Sequence, residues 1–360
     1  MRMRWWGGRP AGWRPVIGGL LAAVVTVVAA GCGGTSSSTS ATSKSASAGT
    51  GSQAAASSGG SKTPFTVGVF SGPYLVWAGI ALHMFNNLPV KFVTISSGPA
   101  ELPLLETGQM AGIDELGAPP LAIAYARNVG LKIVWIDGRE QDYFVGNANL
   151  KSPSALRGKT FGEPIGSIAQ FLLDQYLTQH GVNPSATHVV NIPPPAMPAA
   201  LKSGEINGAL IWPPASIKMA QQGGTVLYHT TDTDFIGLSS QFIAAHPSEA
   251  QTLVCDWGAI HRAFFADPAR VYAAIAKATG ETVASVEQLL PKSAVAPVNQ
   301  VSPQWMGTPK SPSTIAPFLV SAGQWLLGQK SIPKAPSLSW VQSAFDTSYA
   351  QAVAGGSCPK

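Results

Sequence analysis

The sequence predicts a two-lobed α/β protein with a hinge cleft between its lobes. Three observations carry this. From residue 65 to 211 short apolar runs alternate with helical patterns, the rhythm of sheets covered by helices. The rhythm restarts near residue 143 and echoes the first half at a constant offset of 96 residues. Beyond residue 244 the pattern is helical alone.

In chain order, strands are expected at 65–70, 90–95, 110–115 and 132–136, with helices at 77–84, 100–107 and 120–127 between them. After the restart, strands are expected at 143–148, 160–163, 188–192 and 206–211, and helices at 168–179 and 196–202. Ser167 and Gln170 form a capping box at the start of the 168–179 helix, and Gly181 stands where its C-cap belongs. The echo sets Pro99-Ala100, Leu105, Thr107, Gly108 and Gly112 against Pro195-Ala196, Leu201, Ser203, Gly204 and Gly208. Each copy reads strand, Pro-Ala helix start, helix, glycine cap, strand. Helices follow at 247–266, 268–279 (Asp267 as N-cap), 283–290, 315–327 and 339–354. Such a tail packs back on the first lobe. The expected division is therefore lobe 1 at 63–145 and 245–360 and lobe 2 at 146–244. The chain then crosses twice, near 144–149 and 240–245.

The N-terminus reads as a targeting segment. Arg2, Arg4, Arg9 and Arg14 precede an apolar run at 16–30, interrupted by Gly18, Gly19 and Thr26. That run is shorter than the roughly 20 residues of a membrane span and fits a signal h-region. It ends in Ala29-Ala30-Gly31-Cys32, which resembles a lipobox, with Ala29 where Leu or Val is usual. A lipoprotein signal over 1–31 and lipidation of Cys32 are expected; an ordinary cleaved signal is the alternative. Residues 32–62 are nearly all Ser, Thr, Gly and Ala, a composition that cannot bury a core and serves as a flexible tether. The expected location is the extracytoplasmic face of the cell membrane.

The net charge of +5 comes from 23 Lys+Arg against 18 Asp+Glu, but four of the arginines precede Cys32. The remainder holds 19 basic and 18 acidic residues, so charge gives no ground for nucleic-acid binding. Two cysteines remain, Cys255 and Cys358. Outside the cytoplasm such a pair reads as a disulfide tying the tail to the body; two free thiols are the alternative.

Five segments have a distinctive pattern: Ser152-Pro-Ser-Ala-Leu-Arg-Gly158-Lys159, Glu163-Pro-Ile-Gly-Ser167, Asn191-Ile-Pro-Pro-Pro-Ala-Met197, Ala200-Leu-Lys-Ser-Gly204-Glu-Ile-Asn-Gly-Ala-Leu-Ile-Trp212-Pro-Pro-Ala215, and Ala245-His246-Pro247 before the tail. Through them the chain, from about residue 66 onward, resembles the substrate-binding proteins of nitrate-, sulfonate- and taurine-type ABC importers, which have the type II periplasmic-binding fold. Ile211-Trp212-Pro213-Pro214-Ala215 is most similar to the taurine-binding branch. Asn207 replaces the family's usual Asp, and Ala118-Pro119 stand where Asp, Ser or Thr are common. The resemblance implies a monomeric, lipid-anchored component that hands a small ligand to a permease and ATPase complex, with no cofactor or metal.

In an open α/β sheet, ligands sit beyond the carboxyl ends of strands. The candidates there are Ser71, Tyr74, Ser97, Gly98, Glu115, Gly117, Ala118, Asp142, Gly166, Ser167, Trp212 and Asp234. Helix starts with glycine and serine suit an oxyanion, and a sulfonate is what the resemblance implies. Pro119 and Pro120 remove two donors, and capping alone also explains Ser167. Glu115, Glu140, Asp142 and Asp234 suit an amine, or are solvated loop charges. Arg139 could hold the anion itself. Tyr74, Trp77, Trp212 and Phe235 could wall the pocket, with Trp77 better explained as core.

Six scattered histidines form no metal motif, and neither Cys-x-x-Cys, Gly-x-Ser-x-Gly nor a P-loop occurs. No catalytic residue is expected. The same fold could instead serve a thiamine-type pyrimidine or other flat heterocycle, or a ligand-sensing lipoprotein without a transporter.

Overall fold

The computed structural model describes residues 63–308 and 311–359. The expected signal peptide, Cys32 and the tether lie outside the described residues.

The first sheet has the order β2-β1-β3-β10-β4, from β1 (Phe65–Phe70), β2 (Val90–Ile95), β3 (Gly112–Leu116), β4 (Leu131–Gly138) and β10 (Asp234–Ser239). Strands β1, β2 and β3 are parallel, and β10 runs antiparallel between β3 and β4. The second sheet has the order β7-β6-β8-β5-β9, from β5 (Gln141–Gly146), β6 (Thr160–Glu163), β7 (His188–Asn191), β8 (Gly208–Ile211) and β9 (Thr225–Thr231). Here β6, β7 and β8 are parallel and β5 is antiparallel to both neighbours. The internal echo is thus a repeat of topology: β2 and β3 flank β1 as β7 and β8 flank β6.

Strands covered on both faces are apolar throughout, as in β1, where Val67 and Val69 are buried, and β8, which is wholly buried. The covering helices are α1 (Leu75–Ala81), α2 (Gly98–Glu106), α3 (Ala118–Ala126), α4 (Pro153–Leu156), α5 (Ile168–Gln179), α6 (Met197–Ser203) and α7 (Ala215–Gln221). The tail consists of α8 (Ser240–Ala245), α9 (Pro247–Ala266), α10 (Pro268–Thr279), α11 (Val283–Leu289), α12 (Val298–Gln300), α13 (Ala316–Gly328), α14 (Leu338–Ala344) and α15 (Thr347–Ala354). Helices α9 and α10 pack on α1, α13 on α3, and α15 on β4, so the tail returns to the first sheet. A bond between Cys255 and Cys358, with Cα atoms 5.7 Å apart, joins α9 to the C-terminal segment.

Caps fix several boundaries. Asp267 Oδ1 accepts from the Arg270 N–H at 3.1 Å and starts α10, as its sequence predicts. The expected helix over 339–354 is instead two. The Asp346 N–H donates to Ile133 O at 2.9 Å, which pulls the chain onto β4, and the Asp346 carboxylate then caps α15. The crossings also lie earlier than the expected division has them. The chain leaves the first sheet after Gly138, and Gln141–Gly146 already belongs to the second. It returns between Thr231 and Asp234. Pairing β10 into the middle of the first sheet moves the return point, because β10 satisfies hydrogen bonds of both β3 and β4.

Candidate ligand-binding site

Two adjoining hollows open where the sheets face each other, enclosing about 430 and 320 Å3 of space counted out to their mouths. Both are lined by Tyr74, Glu115, Glu140 and Asp234.

The smaller hollow is walled by the starts of three helices. Gly98 begins α2, Gly117 precedes α3, and Ser167 and Ile168 begin α5. The first N–H groups of a helix have no partner within it, and the helix dipole places partial positive charge there. Pro99, Pro119 and Pro120 contribute none, which leaves the Gly98, Ala118, Ile168 and Ala169 amides as the candidates. Glycine is required at residue 98. A Cβ there would stand 2.7 Å from Leu116 Cδ1 and 2.8 Å from Pro120 Cγ. Ser167 Oγ accepts from the Gln170 N–H at 3.4 Å, and Gln170 Oε1 accepts from the Gly166 N–H at 2.8 Å. The return arm of the capping box therefore lands one residue early and occupies the Gly166 amide.

Phe70 stands edge-on to Trp212, with ring centroids 5.7 Å apart, and edge-on to Tyr74 at 6.5 Å. Trp212 and Tyr74 are each 5% exposed, so this wall is also core. Trp77 donates through Nε1 to Phe70 O at 2.8 Å and does not line either hollow, in keeping with a structural role. Phe235 is fully buried inside the first sheet.

The opposite side is acidic. Asp114, Glu115, Asp137, Glu140, Asp142, Asp232 and Asp234 come together at the ends of β3, β4, β5, β9 and β10. Burial is the largest cause that raises each of these carboxyls above its ordinary range, and Coulombic repulsion between them adds to it in most. Asp232 is pushed up to about 7 by burial. Tyr74 Oη donates to Glu140 Oε1, which opposes the rise at Glu140. His261 Nε2 lies 3.2 Å from Asp137 Oδ1, and the neighbouring ring nitrogen donates to Ala296 O at 2.9 Å. Among the described residues no lysine or arginine nitrogen lies within 4.0 Å of these seven carboxylates. Arg139, at the rim of the larger hollow, is exposed and stacks over Trp305 at 5.5 Å.

Of the twelve residues singled out from sequence, Tyr74, Gly98, Glu115, Gly117, Ser167, Trp212 and Asp234 share the smaller hollow. Ser71 lines a separate depression with Ser96, Pro198 and Lys218. Ser97 is buried at the start of α2, and Ala118 is fully buried. Asp142 is buried behind the acidic wall, and Gly166 gives its amide to Gln170. Sequence reasoning did not single out Phe70, Asp137 or Asp232. The signal for Asp232 was present: the alternating acids of Thr231-Asp232-Thr233-Asp234 fall where the chain re-enters the first sheet.

Residues 106–279 match the family model described as NMT1-like. The taurine-binding periplasmic protein of Escherichia coli K12 is 30% identical over 154 residues, which is 42% of this chain and 47% of that protein. The chain thus aligns with about half the length of that curated relative. Solved structures superpose over far more. The periplasmic aliphatic sulfonate-binding protein of Escherichia coli gives a TM-score of 0.61 at 17% identity, covering 78% of this chain and 97% of that one. The alkanesulfonate-binding protein of Xanthomonas axonopodis, bound to MOPS, gives 0.62 at 19%, covering 79% and 99%. The periplasmic nitrate-binding protein of Synechocystis gives 0.63 at 12%, covering 82% and 89%. The fold is that of the periplasmic binding proteins. The resemblance read from the sequence holds over 154 residues of sequence for the taurine-binding protein, and in fold for the sulfonate- and nitrate-binding proteins. Among the described residues of this binding-protein fold, no helix is long and apolar enough to cross a membrane.

Proposed function

We propose that this chain is the binding component of an ABC importer and captures a small zwitterion of the amino-sulfonate class between its lobes. The observation that supports this is the polarity of the smaller hollow. Three helix starts face one part of it, and Glu115, Glu140 and Asp234 face another. An oxyanion fits the first, where amides and dipoles favour negative charge. An ammonium group fits the second, seated against Glu115 and replacing the protons that buried carboxyls otherwise retain. A plain sulfonate leaves these acids with their protons and gains nothing from them. The relative that binds taurine is consistent with the two-ended ligand.

In this reading ligand contacts from both lobes favour a closed arrangement, the closed form docks on a permease, and Cys32 carries the lipid anchor. Calorimetry with the purified protein tests the ligand class. Taurine should bind, while ethanesulfonate and propylamine, each keeping one end, should bind at least about tenfold more weakly, since a charged hydrogen bond contributes roughly 1.5–3 kcal/mol. Equal affinity for ethanesulfonate would remove the ammonium end from the reading. Binding of a thiamine-type pyrimidine in place of all three would move the ligand to a flat heterocycle. Radiolabelled fatty acid incorporated by the wild-type chain and lost in Cys32→Ala would report the anchor.

A further inference from the structure

The two segments that connect the sheets carry acids in matching places. Glu140 and Asp142 lie on the outgoing one, and Asp232 and Asp234 on the returning one. Carboxylate oxygens of Glu140, Asp232 and Asp234, one from each, lie within 4.8 Å of one another. Asp142, Asp232 and Asp234 are 0%, 4% and 3% exposed. Both oxygens of Asp142 and of Asp232, and Oδ2 of Asp234, have no hydrogen-bond donor. An unpaired buried carboxylate costs several kcal/mol, so a group of them needs protons or a cation.

We propose that Glu140, Asp232 and Asp234 form a binding site for a hard divalent cation of calcium size, which ties the two crossing segments together. The spacing suits such an ion. Oxygens bound to one calcium at about 2.3–2.6 Å stand at most about 5 Å apart, whereas magnesium, at about 2.0–2.1 Å, needs a tighter set. Oxygen-only ligands are also the chemistry a hard cation selects. The three have oxygen lone pairs to offer. Tyr74 donates to Glu140, and Asp232 and Asp234 keep buried carboxylate oxygens with no donor, which leaves them free to bind an ion. The shape of the site favours a single ion over an organic amine. Glu140 and Asp234 line both hollows while Asp232 lines neither, so the three oxygens meet at the inner edge of the hollows, where a bare ion fits more readily than an ammonium group carrying an alkyl chain.

The site shares Glu140 and Asp234 with the acidic side of the smaller hollow and rests on that reading only there; cation uptake is measured with no organic ligand present, so the two readings fail separately. The full chain, stripped with chelator, is titrated with Ca2+ and its metal content measured. One Ca2+ per chain is expected, together with a rise in melting temperature. Asp232→Asn should abolish both effects and raise the melting temperature of the stripped protein, because it removes an unpaired buried charge. That rise shows the variant is folded. Asp142→Asn, which removes an acid beside Asp232, should weaken uptake without abolishing it. Asp256→Asn, which changes an acid on α9 outside the cluster, should leave uptake unchanged. Failure of the stripped wild type to take up Ca2+ overturns the proposal, as does wild-type uptake by Asp232→Asn. Stabilisation by putrescine and by no metal also overturns it, and assigns the cluster to an organic amine.

Discussion

Trp325 donates through Nε1 to Asp174 Oδ2 at 2.8 Å, joining α13 of the C-terminal tail to α5 beside the second sheet. Gln329 Nε2 donates to the same oxygen at 2.7 Å. Phe171 packs tilted against Trp325 at 5.3 Å and against Phe318 at 5.6 Å. The contact lies outside the ligand hollows and spans the same two lobes that the ligand would bridge.

If this contact forms with closure, Asp174→Ala loses two hydrogen bonds to a charged acceptor in the closed arrangement alone. Ligand affinity should fall by about tenfold or more, from a loss of roughly 1.5–3 kcal/mol. The melting temperature of the ligand-free protein should change less than that of the liganded one. Calorimetry and thermal melts of the same variant check this. A fall in stability with unchanged affinity would make the contact a static part of the fold.

Trp212 needs a conservative substitution, because its ring is 5% exposed and packed against Phe70. Truncation to alanine would cost roughly 3–5 kcal/mol of core stability and blur any effect on binding. Trp212→Phe keeps an aromatic face against Phe70 and removes the indole from the smaller hollow. Affinity for the ligand should drop severalfold while the protein remains folded, and titration calorimetry with a parallel melt separates the two.

Much of this architecture was legible in the sequence, because the elements that carry it are locally encoded. Helices α5, α9 and α10 have the expected limits, as each has a distinct start: Ser167, the proline at residue 247 and Asp267. The 96-residue echo marked the equivalent parts of the two sheets. What escaped depends on partners distant in sequence. Strand β10 owes its place to pairing with β3 and β4, about a hundred residues earlier in the chain, and its segment has little alternation to mark it. The acidic cluster was legible only in part, since Glu115, Glu140, Asp142 and Asp234 stood out as acids suited to an amine while the others did not. Its seven members come from four stretches of chain, and each alone looks like an ordinary loop charge. A detail of geometry that the sequence does not show is that the Gln170 side chain reaches the Gly166 amide and not that of Ser167.

Reduction of the Cys255–Cys358 bond should destabilise the protein without unfolding it. The bond closes a loop with a sequence separation of 103 residues, and cross-links of native proteins typically contribute about 2–4 kcal/mol, chiefly by restricting the unfolded chain. Urea denaturation with and without reductant should show a lower midpoint in the reduced protein. Ligand affinity should be unchanged, because the bond joins α9 to the C-terminus away from both hollows.

The acidic cluster predicts an unusual dependence of stability on pH. Asp232 has its carboxyl raised from 3.8 to about 7 by burial, so the folded state binds this proton more tightly than the unfolded state. That contribution is fully present below pH about 4 and is lost as the pH rises through about 7. The groups facing Asp232 act in the same direction. Glu140, Asp142 and Asp234 are raised by burial and by one another, and Asp114, Glu115 and Asp137 are raised beside them. Tyr74 donates to Glu140, and His261 lies against Asp137 on the far side. Without metal or ligand, the melting temperature should therefore fall between about pH 5 and pH 8, where many proteins are near their most stable. Asp232→Asn should flatten that fall, and saturating Ca2+ should flatten it more, because the cation replaces the protons that the cluster gives up. A flat profile in the stripped wild type would mean that the seven carboxyls ionise without cost, and that their burial is compensated by solvent.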